Sequence, residues 1–261
     1  MINEHRFFAN FGKYRYLLIQ LVKKDIQVRY RNSMLGIFWS FLEPLLTMII
    51  MTIIFAFIFK RSIPNFPVYY LIGRVTFGLF QMGTMGSMTS IISNVHILKS
   101  VYVPKYLYSL AAVLSNFFTF LLSLIILFAV MIATNVQFTI YIIFASLPVI
   151  VLLIMTLGVG LILATVTVFF RDIEHLYGVF VMLLMYASAV FYPANIIPPQ
   201  YQIILTLNPV YAIIDCLRTV LLNGTLYNPL TLLYATVFAL VSLVVGMALF
   251  YKYQNKFLLH L

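Results

Sequence analysis

The chain has 261 residues, 64% hydrophobic and 8% charged, with a formal net charge of +10. Soluble domains carry about 25% charged residues, so this composition excludes a water-soluble globule and defines a polytopic, all-α membrane protein. The basic residues flank apolar runs, as topology-setting charges do, which argues against nucleic acid as a partner. The single Cys216 excludes an intramolecular disulfide and a cysteine-based metal cluster.

A spanning helix takes about 20 apolar residues, leaving room for roughly five to seven spans in one membrane domain, residues 1–261. No cleavable signal peptide is expected, because the first thirty residues are basic and amphipathic, without a compact apolar core before a small-residue cleavage site. On a helical wheel Phe7, Phe8, Phe11, Tyr14, Leu18, Leu21, Val22 and Ile26 share one side, and Lys13, Lys23, Lys24, Gln27 and Arg31 the other. That pattern predicts a helix lying at the membrane surface over residues 1–33. Asp25 and Arg29 fall on the apolar side at i,i+4 spacing, either as a local ion pair or as a junction to a partner.

Six spans follow in order: 34–59, 68–92, 107–134, 140–170, 176–192 and 230–251. Lys60, Arg61, Pro64 and Pro67 end the first. The second carries Gly73, Gly78, Gly83 and Gly86, small residues that admit a close neighbour, and Arg74, expected to snorkel to the near interface. The fourth is long enough to tilt or to bend at Pro148. Residues 193–227 hold Pro193, Pro198, Pro199, Pro209 and Gly224 within an apolar stretch, which predicts a pair of short re-entrant helices on the outer side between spans five and six. Six spans put both termini on one side. That side carries twelve basic residues against four on the other (Lys60, Arg61, Arg74, Arg218), so both termini are expected in the cytoplasm of an inner-membrane protein.

The run Val28 to Gly36 (VRYRNSMLG), then Trp39 and Glu43-Pro44, resembles the entry to the first span of ABC-2 type permeases, in the branch that exports O-antigen, capsule polysaccharide and wall teichoic acid. Three further stretches match that family in order: Asn94 to Lys105, Phe169 to Ile173, and Tyr192-Pro193 through Asn208-Pro209. The resemblance implies a half-transporter that pairs with a second copy and docks two copies of a separate ABC ATPase. The chain has no G-x-x-x-x-G-K-[ST] loop and no soluble domain to hold one. It is therefore expected to be no enzyme and to have no cofactor or metal of its own, with ATP and Mg bound by the ATPase. The cargo implied is a lipid-linked glycan or polyol-phosphate polymer moved outward through a membrane whose lipids are its other partner.

The same resemblance makes the loop between spans two and three the ATPase-coupling element, with His96, Lys99, Tyr102, Pro104 and Lys105 as contacts. Arg171 and Asp172 are either a second contact or a mutual pair capping helix ends, and Lys23, Lys24 and Arg31 face the ATPase or anionic lipid. Glu43 is the only acid deep in a span and a functional candidate on that ground. It either faces the path, bonding hydroxyls or a cation, or satisfies backbone groups freed by Pro44. Candidates for the aromatic-lined path that the resemblance implies are Phe38, Trp39, Phe41, Tyr69, Tyr70, Tyr186, Phe191 and Tyr192, with Arg74 added where the family carries a Pro-Trp pair. Each aromatic either faces the path or packs against lipid or protein. Three alternatives remain: an ABC-2 exporter of a small hydrophobic compound, a proton-coupled secondary transporter, and a membrane transferase. The last two need clustered or repeated ionisable groups, and this sequence scatters its acids and histidines.

Overall fold

A computed structural model of the chain describes residues 5–58, 63–100 and 103–260, with side chains for 14–55, 63–99 and 103–259. The described residues form helices and no strand. The first, α1 (His5–Tyr30), is followed by a turn in which Gly36 adopts φ +52°, a conformation a side chain resists, and Ser33 Oγ accepts from the Gly36 N–H at 3.1 Å. A single 3₁₀ turn then leads into α2 (Trp39–Ile58), so regular helix starts five residues later than the expected Met34.

The centre is built from α3 (Phe66–Ser93), α5 (Tyr106–Ala133), α6 (Ser146–Phe169) and α10 (Pro229–Tyr253), with short α4 (Val95–Ser100) between α3 and α5. Small residues set how closely these helices approach. A Cβ on Gly83 would stand 2.5 Å from Thr156 Cγ2 of α6, and one on Gly86 would meet Asn116 and Ala112 of α5. Where the fourth span is expected to tilt or to bend at Pro148, the helix changes type just before it. Residues Ile140–Ala145 are 3₁₀, α-helix begins at Ser146, and Pro148 lies in the first turn, where its missing N–H costs nothing.

Two helices sit at the margin of this centre. Helix α2 leaves most of its apolar surface uncovered, including Leu46, Ile50 and Ile53, and so does α7 (Ile173–Tyr186), with Leu176, Val179 and Leu183. After α7 the chain turns through Ala189 (φ +46°) into two 3₁₀ turns, then α8 (Ile203–Thr206) and α9 (Pro209–Leu221). The segments Pro199–Thr206 and Pro209–Leu221 meet at 94°. Asn208 makes that corner: its Oδ1 accepts from Val210 N and Tyr211 N while its Nδ2 donates to Ala187 O and Ser188 Oγ.

Among the described residues four helices are long and apolar enough to cross a membrane, or five if the bent pair is one crossing. Six uniform spans are therefore not what the helices give. Helix α3 has the length, but Arg74, Gln81 and its glycines, serines and threonines make it more polar, as suits the most enclosed helix. The fifth predicted span, 176–192, is a 14-residue helix that stops at Tyr186, short of the roughly 20 residues a crossing needs. At the α1 end, Leu18 and Leu21 are buried with Ile91, Leu107, Phe250 and Phe257, each leucine contributing about 1.5–3 kcal/mol. A last short helix, α11 (Phe257–His260), completes that end.

Candidate functional site

Helix α1 is joined to the bundle by three polar contacts in succession. Lys24 Nζ donates to Asn94 Oδ1 at 2.7 Å, at the junction of α3 and α4. Arg29 donates to Asn116 Oδ1 of α5 at 2.9 Å, and the Tyr30 hydroxyl shares a proton with Ser40 Oγ of α2 at 2.6 Å. Arg29 therefore serves as a junction to α5, and the expected local pair with Asp25 is not formed. Among the described residues the sole cation–carboxylate bridge is Arg74 to Glu43. Asp25 is half-buried without a bridge, and desolvation raises its carboxyl above the ordinary range despite Lys24 and Arg29 nearby. A carboxyl raised on folding opposes folding wherever it is ionised, and that cost disappears as the pH falls through its raised pKa. Asp25→Asn is thus expected to increase the melting temperature in detergent at neutral pH and to flatten its rise on mild acidification. An unchanged profile would remove Asp25 as the cause.

The predicted coupling surface divides in two. His96 and Lys99 are exposed on α4, while Leu98 beside them is buried. Lys23 and Arg31 of α1 are exposed, as are Arg171 and Asp172 before α7. The mutual pair between these last two is absent, and the Asp172 side chain makes no cap bond. Lys24 and Lys105 are spent internally. The Lys105 ammonium donates to Gln254 O at the end of α10 and lies 5.7 Å from the Phe257 ring centre. Burial lowers its pKa. Pro104 is half-buried beside it, and Tyr102 lies outside the described residues, as do Lys60 and Arg61.

The aromatic candidates divide in the same way. Phe38, Trp39 and Tyr186 are exposed and Phe41 half-exposed, with the Phe38 and Phe41 rings 5.8 Å apart. Tyr69 and Tyr70 are core residues and line no surface of this chain. Tyr70 packs between Phe66 and Phe191, and Phe191 in turn contacts Tyr186. Tyr192 is half-buried. Its hydroxyl donates to Tyr186 O, and its carbonyl accepts from Tyr69 at 2.9 Å.

Glu43 and Arg74 meet. Arg74 Nη2 donates to Glu43 Oε1 at 3.0 Å. Instead of reaching back toward the Phe66 end, the arginine runs along α3 so that its Nη1 lies over Gly78, 3.6 Å from where a Cβ would be. Snorkelling is thus replaced by an ion pair near the middle of a 28-residue helix. Glu43 does not repair the Pro44 break. Pro44 lacks the N–H that would bond Ser40 O, and that carbonyl lies 3.3 Å from Ser123 Oγ of α5, whose one proton it shares with Thr119 O at 3.1 Å.

One residue matters more than its place among outer-side charges suggested. Arg218 of α9 is 5% exposed. Its Nη2 donates to three carbonyls, Ala189 at 3.0 Å, Val190 at 3.3 Å and Tyr69 at 3.4 Å, and its guanidinium lies 3.5 Å over the Tyr69 ring. It binds the start of α3, the turn after α7 and the bent pair to one another. A wheel of α9 carries the signal, because Arg218 falls between buried Ile214 and Leu221.

Taken together, the described residues form a helical membrane bundle with a polar-stapled helix along one end and an ion pair on an open face. The family model of ABC-2 type transporters matches residues 16–222, and the chain belongs to that family. It is similar to the O-antigen export system permease protein RfbA of Klebsiella pneumoniae, at 31% identity over 95% of this chain and 96% of the relative. It is also similar to RfbA of Myxococcus xanthus (28%; 94% and 95%) and to the polysialic acid transport protein KpsM of Escherichia coli (27%; 88% and 90%).

Proposed function

We propose that this chain is the permease subunit of an ATP-driven exporter that moves a lipid-linked polysaccharide or teichoic-acid-type polymer outward across the cytoplasmic membrane. The observation that carries the reading is the likeness, over nearly the whole length of both proteins, to permeases of O-antigen export. Two copies pair through the bare faces of α2 and α7, and each docks an ATPase subunit that binds ATP and Mg. Both termini lie in the cytoplasm, with α3 as a further crossing, short α7 and the turn after it making the sixth together, and the bent pair as a re-entrant element. Export of a small hydrophobic compound calls for a wholly apolar path. Glu43, Arg74 and half-exposed Gln81 on the open face are the opposite of that.

The exposed cations Lys23, Lys99 and Arg31 supply the ATPase docking charge, while Lys24 and Lys105 hold the permease together. Co-expression with the cognate ATPase, purification through a tag on this chain and assay of ATP hydrolysis separate these roles. Lys99→Glu with Lys23→Glu is expected to lose most of the bound ATPase while the permease keeps its melting temperature. Lys24→Glu and Lys105→Glu are expected to lower that temperature instead, each removing an internal bond that contributes about 1–3 kcal/mol. A wild-type chain that purifies alone, monodisperse and without ATPase, would overturn the reading and raise the secondary transporter.

A further inference from the structure

The Glu43–Arg74 pair stands where lipid cannot be its neighbour. By helix rise, Gly78 lies roughly 18 Å from the Phe66 end of α3 and Glu43 roughly 18 Å from Phe55 on α2, and the Phe55 and Phe66 rings stack at 4.9 Å. Both counts start from that one contact and put the pair roughly 18 Å in from the Phe55–Phe66 end, well inside a bilayer core of about 30 Å when that end lies at its edge. Yet Glu43 is 63% exposed and Arg74 27% exposed, beside half-exposed Gln81. Ionised groups at such depth face a water-filled or protein-lined space, so this strip of α2 and α3 borders the path.

Within that strip the arginine is under-used. Of its five N–H donors, only one on Nη2 is engaged among the described residues, by a single Glu43 oxygen. The flat fork of a guanidinium matches the oxygens of phosphate and carboxylate. Glu43 supplies one such oxygen from the protein itself and keeps the cation paired while the path is empty. We propose that Arg74, held ready by Glu43, is an oxyanion site in the path that takes the phosphate or carboxylate groups of the cargo as they pass. The proposal rests on the permease reading and narrows it: the cargo is an anionic polymer or a polymer on a phosphate-bearing lipid.

Trp39 is the chain's only tryptophan, and it lies one helical turn before Glu43 on the same exposed face. Its emission can therefore report binding to the full chain in phosphatidylcholine nanodiscs titrated with farnesyl phosphate, a galacturonate trimer or farnesol. A saturable change with farnesyl phosphate or with the uronate is expected and tells which anion is read, while farnesol should give none. Arg74→Gln should weaken binding by about tenfold or more. Glu43→Gln should tighten it a few-fold by removing the competing carboxylate. If Arg74→Gln does not fold, Glu43→Gln with Arg74→Gln replaces the ion pair by a neutral hydrogen bond and should lose the same binding. Binding unaltered by loss of Arg74, or weakened as much by Glu43→Gln, would reduce the pair to a strut between helices and overturn the proposal. Co-purification of the ATPase is scored separately. Where it persists while anion binding ignores Arg74, the oxyanion site falls and the permease reading stands.

Discussion

Arg218→Leu is expected to abolish the monodisperse, detergent-solubilised protein, or to lower its melting temperature further than any other single side-chain replacement discussed above. Leucine refills part of the volume and removes a buried charge, which on its own can be neutral. The Val190 carbonyl would be left buried without a donor, however, and those of Ala189 and Tyr69 would lose the guanidinium and keep only the Tyr69 hydroxyl and the α3 ladder. One stranded carbonyl costs about 1–3 kcal/mol and the bonds lost at the other two add to it, so a net loss of roughly 2–4 kcal/mol is expected. Lysine should rescue only in part, because its ammonium has the donors but on a shorter stem and cannot lie flat on the Tyr69 ring. Gly73→Ala should reproduce part of the loss, since its Cβ would stand 2.7 Å from the Arg218 guanidinium and 3.3 Å from the Val190 backbone. Fluorescence-detected size exclusion followed by a thermal ramp measures all three. A leucine variant that elutes and melts as wild type would show that the bent pair is held by its apolar contacts alone.

Much of this architecture was legible because it is written locally. The apolar runs 107–134, 140–170 and 230–251 gave helix limits to within a few residues, and the proline-rich 193–227 announced the bent segment. What could not be read was which polar group meets which across the fold. Arg74 looked like an interface residue because only its distance along α3 was visible, and its partner lies 31 positions earlier on another helix. Ser123 gave no sign that it would serve the carbonyl freed by Pro44, 83 positions away in the chain at Ser40. Lys23 and Lys24 are adjacent and chemically identical, and only the position of Asn94 decides that one is exposed and the other bonded. Tyr69 and Tyr70 were grouped with the path aromatics by type, whereas the Arg218 and Phe191 packing makes both part of the core.

Gly158→Leu and Gly246→Leu are expected to have effects as large as loss of Arg218, by a different cause. At this crossing α6 and α10 touch backbone to backbone. A Cβ on Gly158 would run into the Leu243 amide and the Ser242 carbonyl carbon, and a Cβ on Gly246 would stand 2.5 Å from Gly158 O. Backbone cannot turn aside as a side chain can, so the helices must separate. That forfeits the close contact that drives helix association in lipid and the burial of Ala235, Ala239 and Ser242 along α10. A cost of roughly 3 kcal/mol or more follows, enough to remove the monodisperse peak on size exclusion. Gly178→Ala is the control: nothing lies within 4 Å of its Cβ position on α7, and alanine there should hold or slightly raise the melting temperature, by up to about 1 kcal/mol of stability. A folded Gly158→Leu protein would mean that α6 and α10 can slide. The expected result has a mechanical consequence. With α6 and α10 locked at the backbone and α3 keyed to α6 through Gly83, those helices form the fixed half of the subunit. On the permease reading, the movement that opens a path is then expected of α2 and α7, which are packed on one side only. Helix α1 is tied to α2 through Tyr30 and Ser40, within one turn of Glu43, as well as to α5 through Arg29 and to the α3–α4 junction through Lys24.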